Sequence, residues 1–326
     1  MCGTAGAGRY VDAVIEVTNL TKHYGERVAV RDLSFVVKPG VVTGFLGPNG
    51  SGKSTTMRLI LGLDAPTAGT ALVGGRPYHE IPDPMREIGA MLEARAIHSG
   101  RSARNHLRAM AATHDIPDTR VEEVIDLVGL AQVARQRVGT FSLGMGQRLG
   151  IASSLLGDPH TVVLDEPVNG LDPEGIRWVR ELLRHLADEG KTVFLSSHMM
   201  SEMALIAERL VVIGKGEMIA DTSVQEFVAQ ASAGAPVEVV SPRIGELRAA
   251  LEQREHDVEP VGDGTVLVAG ATAPEIGELA AQLGVPIYGM TPRQISLEDA
   301  FMQITRSSVE YRTGAGAELE LAERAA

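Results

Sequence analysis

The run Gly47-Pro48-Asn49-Gly50-Ser51-Gly52-Lys53-Ser54-Thr55 constrains this chain more than any other stretch. It meets G-x-x-x-x-G-K-[ST], follows directly on the apolar residues 41–46, and opens a helical-period stretch over 53–63. The context reads as strand, loop, helix. Glycines let successive backbone N–H groups converge on phosphate oxygens, and the start of the following helix adds positive potential. Lys53 then reaches the β and γ phosphates of a nucleotide, and the Ser54 hydroxyl is offered to Mg²⁺.

Around this loop, Val-rich apolar runs alternate with helical-period stretches from 14 to 219, the pattern of an α/β domain with a largely parallel sheet. Strands are expected at 14–20, 33–37, 41–46, 161–164, 192–196 and 209–213. Helices are expected at 53–63, 121–128, 146–156, 173–189 and 201–207, with Gly190 capping the longest of them. A chain of 326 residues has room for about two domains. The pattern changes at 223–236, where a short helix at 224–230 leads into a link of small residues. Beyond it the order is strand 237–241, helix 243–254, strand 257–261, the turn Gly262-Asp263-Gly264, strand 265–269, helix 274–283 and strand 285–290. That is β-α-β-β-α-β, the split βαβ order of ferredoxin-like domains, with a further helix at 297–304. The expected division is therefore a nucleotide-binding domain at 14–222, a linker at 223–236, a small α+β domain at 237–305 and a flexible acidic tail at 306–326.

Composition removes several classes. With 44% hydrophobic and 22% charged residues the chain is neither disordered nor fibrous. No apolar run approaches the roughly 20 residues that span a bilayer. Residues 1–13 lack the basic and apolar segments of a secretory signal, and the lone Cys2 cannot form an internal disulfide, so a cytoplasmic address is expected. Residues 221–326 hold 7 Lys+Arg against 17 Asp+Glu, a balance of −10, and residues 1–220 hold −2. Neither part carries the net basic balance of a duplex binder, and no nucleic-acid partner is expected.

A second chemical feature lies at 161–167, where an apolar strand ends in Asp165-Glu166-Pro167. Neighbours at a strand end point opposite ways, so the two acids have separate roles. Asp165 suits water-mediated Mg²⁺ binding, and Glu166 suits polarising the water that attacks a γ-phosphate. Alone, the pair reads as readily as an acidic N-cap. The phosphate loop upstream decides for catalysis.

Taken with what lies between and after these segments, the chain resembles the ATP-binding subunits of ATP-binding cassette (ABC) transporters over about residues 14–220. Phe141-Ser142-Leu143-Gly144-Met145, followed by Gly146-Gln147-Arg148, resembles the family signature L-S-G-G-Q-x-Q-R. Ser142, Gly144, Gln147 and Arg148 are kept, whereas Leu143 and Met145 replace the first glycine and the glutamine of the pentapeptide. Asn169-Gly170-Leu171-Asp172 resembles the family's D-loop, and His198 in Ser196-Ser197-His198 its switch histidine. Tyr24 matches the aromatic that stacks on adenine. The family's Q-loop glutamine falls here on Glu93, after the apolar residues 88–92, and a carboxylate at that position would be a stronger Mg²⁺ ligand than an amide.

The resemblance implies an ATPase using ATP and Mg²⁺ in a two-fold pair of cassettes, the second a copy of this chain or a related ATPase subunit, with each nucleotide held between one P-loop and the other subunit's signature. It also implies separate membrane permease subunits and a peripheral position on the inner face of the cell membrane. The segment 237–305, with Ser296-Leu297-Glu298-Asp299-Ala300-Phe301, is similar to the appendage of exporter ATPases of the daunorubicin-resistance type, which points to export of a drug-like or lipid-like compound. The alternative is a non-transport ABC ATPase acting on ribosomes or chromosomes. Against it, about 90 residues without sustained heptads separate Lys53 from Ser142, and the chain carries one cassette rather than two.

Overall fold

The strand before the glycine-rich loop, Val42–Leu46, lies inside a six-stranded sheet and is buried along its whole length. This computed structural model of the chain describes residues 14–93, 97–232, 235–293 and 296–305. They divide into two units between Ser223 and Val224. In chain order the first unit runs β1 (Ile15–Tyr24), β2 (Arg27–Val37), β3 (Val42–Leu46), α1 (Lys53–Ile60), β4 (Ala68–Val73), α2 (Pro84–Glu87), β5 (Ile88–Met91), α3 (Ala103–Ala111), α4 (Asp118–Leu127), α5 (Leu143–Leu155), β6 (Thr161–Leu164), α6 (Pro173–Asp188), β7 (Thr192–Ser196), α7 (Met200–Ile206), β8 (Arg209–Gly214) and β9 (Glu217–Ser223).

The six-stranded sheet has the order β5-β6-β7-β3-β8-β9, parallel throughout except for the antiparallel pair β8–β9. Strands β3, β6 and β7 are buried at every position, which is why they read as unbroken apolar runs and not as alternation. Register then decides where the site forms. Met91 pairs with Leu164, Leu164 with Leu195, and Phe45 with Ser196, so the chain leaves β5, β6, β7 and β3 along one edge of the sheet. Ligands of open α/β sheets bind at that carboxyl edge.

A second, antiparallel sheet of order β2-β1-β4 packs through Phe35. Its ring lies 5.7 Å from both Phe45 and Phe194, which are 5.1 Å from each other. Each such aromatic pair contributes about 0.5–1.5 kcal/mol beyond its buried area. The expected α/β architecture holds, but the parallel sheet accounts for only part of it. Strand 14–20 continues to Tyr24 and strand 33–37 begins at Arg27, because the two close as a hairpin through Gly25, whose φ of 61° suits the tight turn. β4, β9 and α3 were not expected from the sequence. β4 and β9 show no buried–exposed alternation, so period-2 patterning gave them no signal. Helix α5 starts at Leu143, not at 146, with Ser142 as its N-cap. Gly190 follows α6 at φ 87°, the left-handed backbone of a helix end.

The second unit contains α8 (Val224–Ser232), β10 (Val237–Val240), α9 (Ile244–Glu252), β11 (Asp257–Gly262), β12 (Thr265–Ala269), α10 (Ala273–Leu283), β13 (Gly289–Pro292) and α11 (Leu297–Thr305). Its sheet is antiparallel with the order β11-β12-β10-β13, a split β-α-β arrangement in which β12 lies between β10 and β11. Val239, Leu247, Val268 and Ile276 are fully buried between sheet and helices. The segment expected as a linker contains α8, which groups with the second unit and packs against α11. The last strand forms at Gly289–Pro292, later than the expected 285–290, because Val285 closes the end of α10 through its N–H to Ala280 O at 2.9 Å. Cys2 and the tail at 306–326 lie outside the described residues.

Candidate nucleotide site

The turn from β3 into α1 wraps a cleft of about 350 Å³ lined by Tyr24, Asn49, Gly50, Gly52, Lys53, Ser54, Thr55, Asp165 and Glu166, with Arg27 and Ala29 at its side. Two glycines are required by contact. A Cβ on Gly47 would fall 2.4 Å from Ser51 Oγ, and one on Gly52, at φ 105°, would fall 2.5 Å from the Ala29 carbonyl. Lys53 is 8% exposed, and its ammonium donates to the carbonyls of Gly47 at 2.6 Å and Pro48 at 3.3 Å. Burial pushes its pKa below the ordinary lysine value, opposed by the charges of Glu166 and Asp165. Among the described residues the buried Ser51 hydroxyl has no hydrogen-bond partner. A loop with this unpartnered hydroxyl and a buried cation, opening the helix that starts at Lys53, suits a polyphosphate.

Strand register brings the remaining groups to this loop. The Ser54 hydroxyl donates to Asp165 Oδ2 at 2.8 Å, and the Ser196 hydroxyl donates to Asp165 Oδ1. The N–H of Glu166 donates to Ser196 Oγ at 3.1 Å, while the amide of Gln147 donates to the Glu166 carbonyl at 2.7 Å. Glu166 itself has φ 52°, in the left-handed region. Its Oε2 lies 2.7 Å from His198 Nδ1 and accepts the His198 N–H at 3.4 Å. Tyr24 is 46% exposed at the rim, with Lys22 Nζ 4.9 Å from its ring centroid and its hydroxyl donating to Asp64 at 2.8 Å.

Not every expected residue joins this cleft. Ser142 caps α5, its Oγ accepting from Met145 N–H at 3.2 Å, and lines a separate cleft of about 330 Å³ with Ile97, Ser99, Val138, Phe141 and Leu143. Gly144 lies in the same helix turn against Leu171. Asp172 caps α6 by accepting from Gly175 N–H at 2.9 Å. Glu93 is exposed two residues past Met91, whose carbonyl accepts the Asp165 N–H at 2.7 Å, and Glu93 does not line the cleft. Conversely, Ser196, Gln147 and Arg27 take part in or border the site with no role expected from sequence. Ser196 and Gln147 stood inside the motifs, but only the fold shows that they hold Asp165 and Glu166.

A phosphate loop, a buried lysine and two acids gathered at the carboxyl edge of a parallel sheet define a P-loop nucleotide-hydrolysing domain. Comparison with known proteins narrows the class. A family model for the ABC transporter matches residues 30–169, and a model for a domain of unknown function matches residues 235–298. The chain is 36% identical over 301 residues to the uncharacterized ABC transporter ATP-binding protein YhcH of Bacillus subtilis, covering 91% of this chain and 97% of the relative. It is 33% identical over 299 residues to the bacitracin transport ATP-binding protein BcrA of Bacillus licheniformis, covering 90% and 98%. Among solved structures, the dimeric structure of a bacterial ABC transporter cassette matches with a TM-score of 0.59 and 25% identity, over 64% of this chain and 98% of that one. The chain belongs to the ATP-binding proteins of ABC transporters, and is an ATPase of that family.

Proposed function

We propose that this ATPase powers a separate membrane permease exporting a drug-like or lipid-like compound, and that it works as an ATP-sandwich dimer at the inner face of the cell membrane. The observation that carries the reading is that Glu166 lines the same cleft as Lys53 while bonded to His198. In this reading Lys53 and the loop N–H groups bind the β and γ phosphates, and the Tyr24 ring stacks on the base. Glu166 accepts the proton of the attacking water, and His198 orients that carboxylate beside the γ-phosphate.

Ser54 and Asp165 are suited to hold Mg²⁺, which supplies charge neutralisation at the phosphates when bound. Among the described residues no cluster of three His, Cys, Asp or Glu is arranged to hold a metal by itself, so its other ligands would be phosphate oxygens and water.

Pairing is supported by the separation of the two clefts. One chain has its Ser142 in a different cleft from its Lys53, so a sandwich needs a second cassette, a copy of this chain or a related subunit. A partner permease is supported by the described helices, none of which is long and apolar enough to cross a membrane. Export of a drug-like compound draws on the similarity to the bacitracin transport protein.

Affinity recovery of the tagged full chain from detergent-solubilised membranes tests this reading. A polytopic membrane protein is expected in stoichiometric amount, with ATPase activity in the recovered complex. Recovery with ribosomes or chromosomal DNA and without a membrane protein would contradict it.

A further inference from the structure

Glu166 occupies a backbone conformation that residues with a side chain seldom adopt, at φ 52°. Such a conformation persists only where surrounding groups over-determine it. Two elements supply them. From β7, Ser196 Oγ accepts the Glu166 N–H at 3.1 Å. From α5, the amide of Gln147, 4% exposed, donates to the Glu166 carbonyl at 2.7 Å. The same carbonyl also accepts the Asn169 N–H at 3.2 Å, so the Gln147 bond is not needed merely to satisfy it. What Gln147 adds is an anchor on another helix. The adjacent Arg148 is held in turn, its guanidinium donating to the Val128 carbonyl at 2.9 Å and lying 4.5 Å from the Trp178 ring centroid.

We propose that Gln147 is a positioning residue for hydrolysis, fixing the peptide after Glu166 and thereby the direction of its carboxylate in the cleft. The inference rests on the reading of Glu166 as proton acceptor. Gln147 touches neither nucleotide nor water in this account; it acts through Glu166 alone. Its removal therefore lowers kcat and leaves ATP affinity unchanged, because the phosphate loop and Tyr24 are untouched.

The test compares Gln147→Met, Glu166→Gln and the double variant of the full chain, measuring ATP binding at equilibrium and hydrolysis in a single turnover. Gln147→Met keeps the volume and loses the donor, and a small misplacement of a reacting group costs up to about 10²-fold in rate. The expected result is a loss of that order in Gln147→Met with wild-type ATP binding, and no further loss when it is added to Glu166→Gln. Gln147→Asn keeps a buried amide that stops short of the carbonyl, and is expected to repeat the loss without an apolar substitution. Wild-type turnover in both Gln147 variants overturns the proposal, as does a loss in the double variant that multiplies the two single losses. Wild-type turnover in Glu166→Gln alone overturns the reading of Glu166 and the proposal with it.

Discussion

Glu166 Oε2 and His198 Nδ1 lie 2.7 Å apart, joining the chain after β6 to the chain after β7. Both strands are parallel neighbours, with Leu164 beside Leu195, so the pair is a product of strand register. The imidazole is half exposed and the carboxylate is one-quarter exposed, leaving room for water at the acid.

His198→Ala is expected to lower ATP turnover by about 10²-fold, the scale of a misplaced reacting group, while equilibrium ATP binding is retained. Parallel measurements of nucleotide affinity and steady-state hydrolysis check this. Unchanged turnover would assign His198 to the surface.

The placement of the P-loop, the acid pair and His198 at neighbouring strand ends was legible because each is a short residue string with a strand before it. Tertiary pairing was less legible. Nothing in the string around Gln147 says that its amide meets the Glu166 carbonyl, since that contact depends on where α5 packs. Glu93 shows the same limit from the other side, for a position inferred from strand order did not bring its carboxylate into the cleft. In the fold, fully buried strands such as Thr161–Leu164 were legible as apolar runs, whereas Ala68–Val73, exposed over half its length, offered neither a run nor an alternation.

Tyr24 presents its ring at the rim of the cleft and ties its hydroxyl to Asp64, which also accepts from Arg58 Nε at 2.7 Å. Stacking of a base on an aromatic ring is worth about 1–3 kcal/mol. Tyr24→Ala is expected to weaken ATP binding by about 10-fold, near the low end of that range, and Tyr24→Phe, which keeps the ring, by much less. Fluorescent-nucleotide titration separates the two variants. Equal affinities for both would remove the ring from the site.

Ser142 sits in its own cleft, so its proposed contact is with the nucleotide of a second cassette. Adding ATP to Glu166→Gln should shift the protein toward dimer, and adding Ser142→Arg should reverse the shift by placing a bulky cation where a small hydroxyl is needed. Sedimentation with and without ATP reads both effects. Wild-type ATP binding and hydrolysis in a Ser142→Arg single variant would contradict the two-chain site.

Asp158 tests the electrostatics of the fold away from the nucleotide. Burial alone would raise its pKa, but the hydrogen bond and charge of Lys191, with Arg120 and His160, hold the carboxyl below the usual range. Lys191 is 8% exposed in its side chain, whereas Asp158 is 65% exposed, so solvent screens much of the pair. A carboxyl with a depressed folded pKa stabilises the fold above its unfolded pKa, and that contribution is lost as pH falls through the folded value. Asp158→Asn should therefore cost about 1–2 kcal/mol at neutral pH, between the values for exposed and buried pairs, and nothing in acid once the wild-type carboxyl is protonated. Urea unfolding of both proteins across that pH range checks the sign. A gap that persists unchanged in acid would remove the charge pair as its cause.

The proposed role of Glu166 is to activate water in a cleft that binds ATP through Lys53. It is tested most directly by hydrolysis and ATP binding measured on the same preparation of Glu166→Gln. A fall in turnover of about 10²- to 10⁴-fold, the range of a lost general base, is expected, with ATP still bound and trapped unhydrolysed. Turnover near the wild-type rate in a variant that binds ATP normally would contradict it.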